Sequence, residues 1–330
     1  MSAATRPPIA CLGAGRMGRG IAVAFAYAGH RVVIVDFKPR DATAFAALAG
    51  EALAEIRHTL ESLGRLTDLK AADIDRLMER VSVAPEAEAA RVLPAAAVVF
   101  EGVPEVVELK REALARASRL AGPEPIIAST TSTILVDDIA PAVEEPRRFL
   151  NAHWLNPAHL VPLVELSPGA ATAPEVTARL TALLESIGKV PVTCAARPGY
   201  IVPRIQALAM NEAARMVEEG VASAADVDKA IKYGFGFRFA VLGLLEFIDW
   251  GGGDILYYAS RYLEGALGDA RYAAPDIVKT NMAEGRIGLR TGAGFLDYAG
   301  RDIAAYREAR LADLATQLKA MGLARPPVLD

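Results

Sequence analysis

The first half of the chain alternates short apolar runs with amphipathic stretches of helical period. Apolar runs of this kind are typical of strands buried on both faces, and their alternation with helices is typical of a doubly wound parallel sheet. The predicted strands are Ile9–Leu12, His30–Val35, Val81–Val83, Ala97–Phe100, Ile126–Ser129, Phe149–His153, Leu163–Leu166 and Val190–Cys194. The pattern therefore predicts an α/β fold.

Helical patterns dominate the rest of the chain. Between Ala42 and Arg80 the pattern carries charge on one face and breaks at Leu63–Arg65, which predicts a helical arm. Residues 195–199 include Pro198 and Gly199 and are predicted to form a hinge. Beyond them, apolar stripes recur at helical spacing over residues 224–233, 239–263, 275–284 and 302–321. We predict a sheet domain over residues 1–196 and an all-α domain over residues 197–330.

A glycine-rich turn follows the first predicted strand and precedes a helical pattern that begins near Ile21. It comprises Gly13-Ala14-Gly15-Arg16-Met17-Gly18. In a Rossmann-type dinucleotide site the first glycine makes the tight turn, the second admits the pyrophosphate, and the third lets helix pack on strand. We therefore predict that this turn, including Arg16 and Met17, binds a dinucleotide.

An acidic residue at the end of the second strand indicates which dinucleotide is bound. Asp36 lies 18 positions beyond Gly18 and matches the residue expected to bind the adenosine ribose hydroxyls. A carboxylate there repels a 2′-phosphate, which favours NAD over NADP. Lys38 and Arg40 follow closely and weaken that preference.

Three proton-handling residues lie beyond the glycine turn. Ser132 precedes His153 by 21 positions, and Glu165 follows His153 by 12. Oxidation of a secondary alcohol by a nicotinamide requires a base near neutral pH, for which an imidazole is suited, and a carboxylate on the second ring nitrogen would orient it. A serine hydroxyl can hold the substrate oxygen in line. Each residue alone has an ordinary structural explanation, and only their combination predicts catalysis.

Composition excludes several other classes of protein. The 330 residues are 52% hydrophobic and carry a formal net charge of −4, so no basic footprint for nucleic acid is present. The two cysteines, Cys11 and Cys194, indicate neither a disulfide framework nor a metal site. No N-terminal apolar signal region and no run long enough to span a bilayer are apparent, which predicts a cytoplasmic protein that does not bind membranes.

Over nearly its whole length the chain resembles the L-3-hydroxyacyl-CoA dehydrogenase family, including short 3-hydroxybutyryl-CoA dehydrogenases and the lambda-crystallin (L-gulonate dehydrogenase) branch. The residues that match its motifs are Gly13, Gly15, Gly18, Asp36, Ser132, His153, Asn156-Pro157, Glu165 and the closing segment Arg290–Tyr298. The resemblance implies NAD as cofactor, fatty acid metabolism, Ser132, His153 and Glu165 as catalytic residues, and Ser132 and Asn156 as substrate-binding residues. It also implies a homodimer formed through the helical domain.

The resemblance further implies that Glu105 and Lys110 contact the nicotinamide side of the cofactor, although a solvated helix start would explain both residues equally well.

The sequence departs from the family at two places. Pro203 occupies the position of an active-site asparagine, for which Arg204, Gln206 or Asn156 could substitute. Residues 233–239 are predicted to form an aromatic, glycine-rich turn that belongs to the core or to a subunit contact, with a lining of the substrate pocket as the alternative.

Three functional hypotheses follow. The first is reversible NAD-dependent oxidation of a short (S)-3-hydroxyacyl-CoA, such as 3-hydroxybutyryl-CoA, with His153 as the base, Glu165 orienting it and Ser132 holding the substrate oxygen. The second keeps this chemistry but uses a free hydroxy acid, L-gulonate-like or carnitine-like. The third is a structural protein that binds NAD without turnover. The sequence determines neither the acyl length nor the direction of flux.

Overall fold

A computed structural model describes residues 6–329 of the chain. The chain forms two compact units, one ending at Ala209 and one beginning at Met210. The first unit contains every described strand, and the second is helical.

The first unit is built on an eight-stranded sheet with the order β3-β2-β1-β4-β5-β6-β7-β8. The strands are β1 Ile9–Leu12, β2 Val32–Asp36, β3 Val81–Pro85, β4 Val98–Glu101, β5 Ile126–Ser129, β6 Phe149–Trp154, β7 Leu163–Pro168 and β8 Val190–Thr193. Every pair is parallel except β6 and β7, which are antiparallel. The expectation of a Rossmann-type, doubly wound sheet is confirmed.

The antiparallel pair is a feature of the sheet that the sequence pattern did not predict. Residues 155–162 connect β6 to β7, and this connection is too short for the crossover of about a dozen residues that a parallel pair needs. The chain therefore reverses direction, and His153 faces Glu165 directly across the two strands.

Both faces of the sheet are covered, as its apolar strands predict. In β1, Ile9 and Cys11 belong to one buried cluster, whereas Ala10 and Leu12 belong to another. Successive side chains of a strand point to opposite faces, so one short strand contributes to two cores.

Helices of the first unit pack on these two faces and form the predicted arm. They are α1 Arg16–Tyr27, α2 Ala42–Gly64, α3 Ala71–Met78, α4 Ala89–Val92, α5 Val107–Ala121, α6 Val136–Ile139 and α7 Pro174–Ser186, and α8 Val202–Glu218 begins within it. The arm consists of α2 and α3. Helix α2 begins after Asp41, whose side chain accepts from the Ala44 backbone N–H, and ends at Gly64, inside the predicted break.

The second unit continues with helices α9 Ala224–Ala230, α10 Phe237–Phe239, α11 Leu244–Gly251, α12 Gly253–Leu267, α13 Asp276–Ala283 and α14 Ile303–Ala320. Two expectations were wrong here. The stripe over residues 239–263 is interrupted before Leu244 and again at Gly252, whose φ of +112° leaves the helical region. Residues 231–236 form a π-helix rather than a turn, and Arg238 Nε donates to the Gly234 carbonyl oxygen, one of the carbonyls in this wider coil.

The closing segment of the second unit wraps around one buried carboxylate. Asp249 is 2% exposed and accepts from the backbone N–H groups of Phe295 at 2.9 Å and Leu296 at 2.8 Å, and from the Tyr298 hydroxyl at 3.2 Å. A Cβ at Gly294 would lie 2.0 Å from the Asp249 Oδ1 atom. The glycine of this motif is therefore required by packing inside the helical unit.

Candidate active site

The candidate site lies at the carboxyl edge of the sheet, where β1, β4, β5 and β6 are consecutive neighbours. The chain order of the strands reverses between β1 and β4, and ligands of open α/β sheets bind at such a switch point. The glycine turn follows β1, and the segment carrying Ser132 follows β5. His153 lies near the end of β6.

The glycine turn has the conformation that a dinucleotide site needs. Gly13 has a φ of +90°, a region that favours glycine, and a Cβ there would lie 3.3 Å from the Gly102 carbonyl oxygen. A Cβ at Gly18 would lie 2.2 Å from the Gly13 carbonyl oxygen, whereas one at Gly15 would meet no protein atom within 4 Å. Packing thus accounts for the first and third glycines, whereas the open space at Gly15 leaves the start of α1 accessible to a ligand.

Replacement of Gly18 by alanine is expected to weaken NADH binding at least tenfold and to destabilise the protein by about 1–3 kcal/mol, because the new methyl group must displace backbone of the turn. Fluorescence titration with NADH and thermal denaturation measure both effects. Gly50→Ala is the matched control, since Gly50 lies in α2 with open space around it. Equal NADH affinity of the two variants would contradict this explanation of the turn.

Asp36 ends β2 and is 5% exposed. Its Oδ2 atom lies 2.6 Å from Arg40 Nε, and its Oδ1 atom accepts from the Lys38 backbone N–H at 3.3 Å. Arg40 thus places its guanidinium against the carboxylate and neutralises part of its charge, whereas the contact from Lys38 is made by its backbone N–H.

A buried ion pair at the end of β4 was missed by the sequence analysis. Glu101 ends β4 and is fully buried, and Lys110 of α5 is 1% exposed. Lys110 Nζ lies 2.9 and 3.2 Å from the two Glu101 oxygens, and it also donates to the Val103 carbonyl oxygen at 3.1 Å. The feature of the sequence that could have indicated the pair is Glu101, an acidic residue directly after the apolar run of β4. Lys110 is not part of a solvated helix start; its contacts hold the segment that follows β4.

Glu105 organises the segment that carries Ser132. Its Oε1 atom accepts from the backbone N–H groups of Ser132 and Thr133, both at 3.0 Å, and from the Thr131 and Thr133 hydroxyls. Burial raises the pKa of the Glu105 carboxyl, but the hydrogen bonds from Thr131 and Thr133 and the Lys110 charge outweigh burial and lower the pKa to about 2. Glu105 therefore stays ionised and holds this loop.

Replacement of Glu105 by glutamine is expected to remove about 1 kcal/mol of stability at neutral pH, a value kept small because the side chain is 37% exposed. The folded-state pKa lies below the ordinary value of 4.5, so the stabilisation is present above pH 4.5 and is lost as the pH falls toward 2. Urea denaturation of both proteins from pH 7 to pH 3 measures the difference. A difference that grows toward low pH would contradict this assignment.

His153 and Glu165 form a buried pair. Nδ1 of His153 lies 2.8 Å from Glu165 Oε2, and Glu165 is fully buried. Directly opposed residues of antiparallel strands project to the same face, so the register of β6 and β7 positions the pair. The second carboxylate oxygen, Oε1, accepts from the backbone N–H groups of Ile201 at 2.9 Å and Val202 at 2.8 Å. With the carboxylate as acceptor, the imidazole proton lies on Nδ1 and Nε2 is free to act as a base.

Asn156 is exposed and lies in the turn after β6. It lines a cleft of about 190 Å³ in the first unit together with Arg16, Arg19 and His159. Lys189 holds the turn, since its Nζ donates to the carbonyl oxygens of Ala158 at 2.7 Å and Val161 at 2.8 Å.

Pro203 is the second residue of α8, a first-turn position where a missing N–H has little cost.

Within residues 6–329, no cluster of three or more candidate metal ligands is found. None of the helices described over the same range is both long and apolar enough to cross a membrane.

Comparison with known proteins identifies the family. Residues 8–197 match the model for the 3-hydroxyacyl-CoA dehydrogenase NAD binding domain, and residues 199–298 match that for the C-terminal domain of the same enzymes. The chain belongs to the 3-hydroxyacyl-CoA dehydrogenase family. It is therefore an oxidoreductase of an NAD-dependent family, and the conformation of its glycine turn fits that cofactor.

Several known proteins are similar over most of this chain. A 5-formyl-3-hydroxy-2-methylpyridine 4-carboxylate 5-dehydrogenase of Mesorhizobium japonicum is 30% identical, over 88% of this chain and 90% of that protein. A probable 3-hydroxybutyryl-CoA dehydrogenase of Bacillus subtilis is 31% identical, over 87% and 95%. The crystal structure of a 3-hydroxyacyl-CoA dehydrogenase from Archaeoglobus fulgidus has a TM-score of 0.76 at 32% identity, and covers 97% of this chain and 100% of that one.

Proposed function

We propose that this protein catalyses the reversible, NAD-dependent oxidation of a short-chain (S)-3-hydroxyacyl-CoA, such as 3-hydroxybutyryl-CoA, to the 3-oxoacyl-CoA. The observation that carries the proposal is the buried His153–Glu165 pair, with Nδ1 and Oε2 2.8 Å apart. His153 lies on β6, the strand next to β5, near the sheet edge that also carries the glycine turn.

Bound NAD would supply the acceptor for the hydride from the carbon that bears the hydroxyl group. His153 Nε2 takes the hydroxyl proton, so the products are the ketone, the reduced cofactor and a proton, and the imidazolium returns the proton in the reverse direction. Glu165 holds the tautomer that leaves Nε2 unprotonated and stabilises the imidazolium. Ser132 donates to the substrate oxygen.

The cofactor contacts that we propose lie along the same edge. Gly13, Gly15 and Gly18, with Arg16 and Met17, form the pyrophosphate site at the start of α1. Asp36 binds the adenosine ribose.

Glu105 and Lys110 support the nicotinamide side of the site. Lys110 does so by holding residues 101–105, because its Nζ bonds to Glu101 and Val103. Glu105 holds the segment that carries Ser132.

A free hydroxy acid is the second candidate substrate. The similar Mesorhizobium enzyme is named for a pyridine carboxylate rather than a thioester. In this chain, Arg16 and Asn156 line one cleft, where a guanidinium could bind a carboxylate. Asn156 would contact substrate under either hypothesis. A non-catalytic NAD-binding protein is the third candidate, and the buried His153–Glu165 pair argues against it.

The distinguishing experiment follows NADH oxidation at 340 nm with acetoacetyl-CoA, free acetoacetate and a panel of free 3-oxo acids as separate substrates, and with NADPH as a cofactor control. Turnover with the thioester alone supports the acyl-CoA assignment. Turnover with a free acid alone overturns it in favour of the second candidate. Binding of NADH without turnover of any substrate would favour the third.

We propose a cofactor domain over residues 1–196 and a substrate and dimerisation domain over residues 197–330, in a cytoplasmic homodimer. Light scattering at micromolar concentration tests the assembly, and a monomer would refute it.

A further inference from the structure

Tyr200 lies in the segment between β8 and α8 and has an unusual backbone conformation. Its φ is +46°, in the left-handed region that residues with a side chain rarely adopt, and it follows Gly199 with a φ of +81°. The side chain is buried, with 8% of the residue exposed. Such a conformation persists only where surrounding contacts hold it, and it is concentrated at functional sites.

The Tyr200 ring is stacked on the imidazole of His153. The ring centroids are 5.0 Å apart and the planes differ by 12°. One face of the imidazole is therefore covered by an aromatic ring, which restricts rotation about the bond joining the imidazole to Cβ. The Glu165 hydrogen bond restricts the same rotation from the Nδ1 edge of the ring.

The Tyr200 hydroxyl joins β6 to the segment that follows β5. It donates to the Thr131 carbonyl oxygen at 2.9 Å and accepts from Asn151 Nδ2 at 3.0 Å. Thr131 immediately precedes Ser132, and Asn151 lies two residues before His153 on the same face of β6. Burial raises the pKa of the Tyr200 phenol well above its usual value, so the phenol keeps the proton that it donates.

The backbone that follows Tyr200 contacts the other member of the pair. The N–H groups of Ile201 and Val202 both donate to Glu165 Oε1. Three consecutive residues thus contact the imidazole, its carboxylate partner and the segment that carries Ser132.

We propose that Tyr200 is a positioning residue for proton transfer: its ring sets the plane of the His153 imidazole, and its hydroxyl sets the separation between His153 and Ser132. The inference rests on the proposed function, because it assigns His153 as the base and Ser132 as the group that holds the substrate oxygen. A displacement of about 1 Å in such a geometry can reduce the rate about 100-fold.

The test compares Tyr200→Phe, which keeps the stacked ring and removes the hydroxyl, with Tyr200→Leu, which removes both. We expect kcat for acetoacetyl-CoA reduction to fall roughly tenfold in the phenylalanine variant and roughly 100-fold in the leucine variant, with the KM for NADH unchanged. The deuterium isotope effect from 4-deuterated NADH should rise, because hydride transfer becomes more rate-limiting. Tyr27→Leu, at an exposed residue that ends α1, is the control and should keep the wild-type kcat.

A second measurement does not depend on turnover. The chain has four histidines, so the imidazole proton signals can be assigned by NMR with a His153→Ala reference. Stacking on Tyr200 should shift the His153 signals upfield through the ring current, and Tyr200→Leu should remove that shift in a folded protein. If the wild type is inactive but its His153 signals are shifted upfield, the stacking of Tyr200 on His153 is supported and the proposed function is rejected. An unshifted His153 signal, or a Tyr200→Leu variant with wild-type kcat, would overturn the role of Tyr200.

Discussion

Replacement of Glu165 by glutamine is expected to lower kcat by about 10³–10⁴-fold while leaving the KM for NADH unchanged. The carbonyl oxygen of glutamine can keep the two hydrogen bonds from the backbone of Ile201 and Val202. Its amide nitrogen would then face His153 Nδ1, where a carboxylate oxygen now lies 2.8 Å away. Because an amide N–H must donate, the imidazole would carry its proton on Nε2 and could not accept one from the substrate.

Steady-state kinetics of acetoacetyl-CoA reduction measure this effect, and thermal denaturation establishes that the variant is folded. Glu175→Gln is the matched control, since Glu175 is an exposed partner of Arg147 and should lose no activity. A Glu165→Gln variant with more than a tenth of the wild-type kcat would show that Glu165 does not set the tautomer of the base.

Replacement of Lys110 by methionine is expected to have the largest effect on stability, a loss of about 3–5 kcal/mol in the free energy of unfolding. Methionine fills a similar volume but leaves the fully buried Glu101 carboxylate without its cation. The remaining hydrogen bonds to Glu101 come from the Ser129 hydroxyl and the Val103 backbone N–H. The segment that follows β4 should loosen, so NADH affinity should fall as well.

Urea denaturation measures the loss, and two further variants locate its cause. Arg57→Met breaks the exposed pair with Asp75 and should cost less than about 1 kcal/mol. The double variant Glu101→Leu/Lys110→Met removes both charges and should recover much of the stability that Lys110→Met loses. If the double variant is no more stable than Lys110→Met, the unpaired Glu101 carboxylate is not the cause of the lost stability.

The strand runs were predictable from the sequence because buried strands must be continuously apolar, and all eight predicted runs correspond to strands of the sheet. The glycine turn was predictable for a similar reason, since its spacing follows from backbone geometry around Gly13 and Gly18. The pairing of His153 with Glu165 was expected from chemistry. Its structural cause, the antiparallel register of β6 and β7, depends on the short connection between the strands.

Other features depend on contacts between residues distant in sequence, which hydrophobic periodicity does not encode. The stacking of Tyr200 on His153 joins segments 47 positions apart. The Glu101–Lys110 pair spans only nine positions, but the sequence pattern does not show that both charged side chains are buried. In the second unit, Gly234 and Gly236 suggested a turn, but residues 231–236 remain helical. Glycine permits a turn without requiring one, so composition alone gave the wrong answer there.

The most direct test of the central claim is acetoacetyl-CoA reduction by wild type and His153→Ala, followed at 340 nm, with NADH affinity measured by fluorescence in both proteins. We predict that the wild type turns over the thioester, and that the variant binds NADH equally well but reacts about 10²–10⁴-fold more slowly. Wild-type turnover matched by the variant would contradict His153 as the base, and a wild type that binds NADH without reducing the thioester would contradict the proposed reaction.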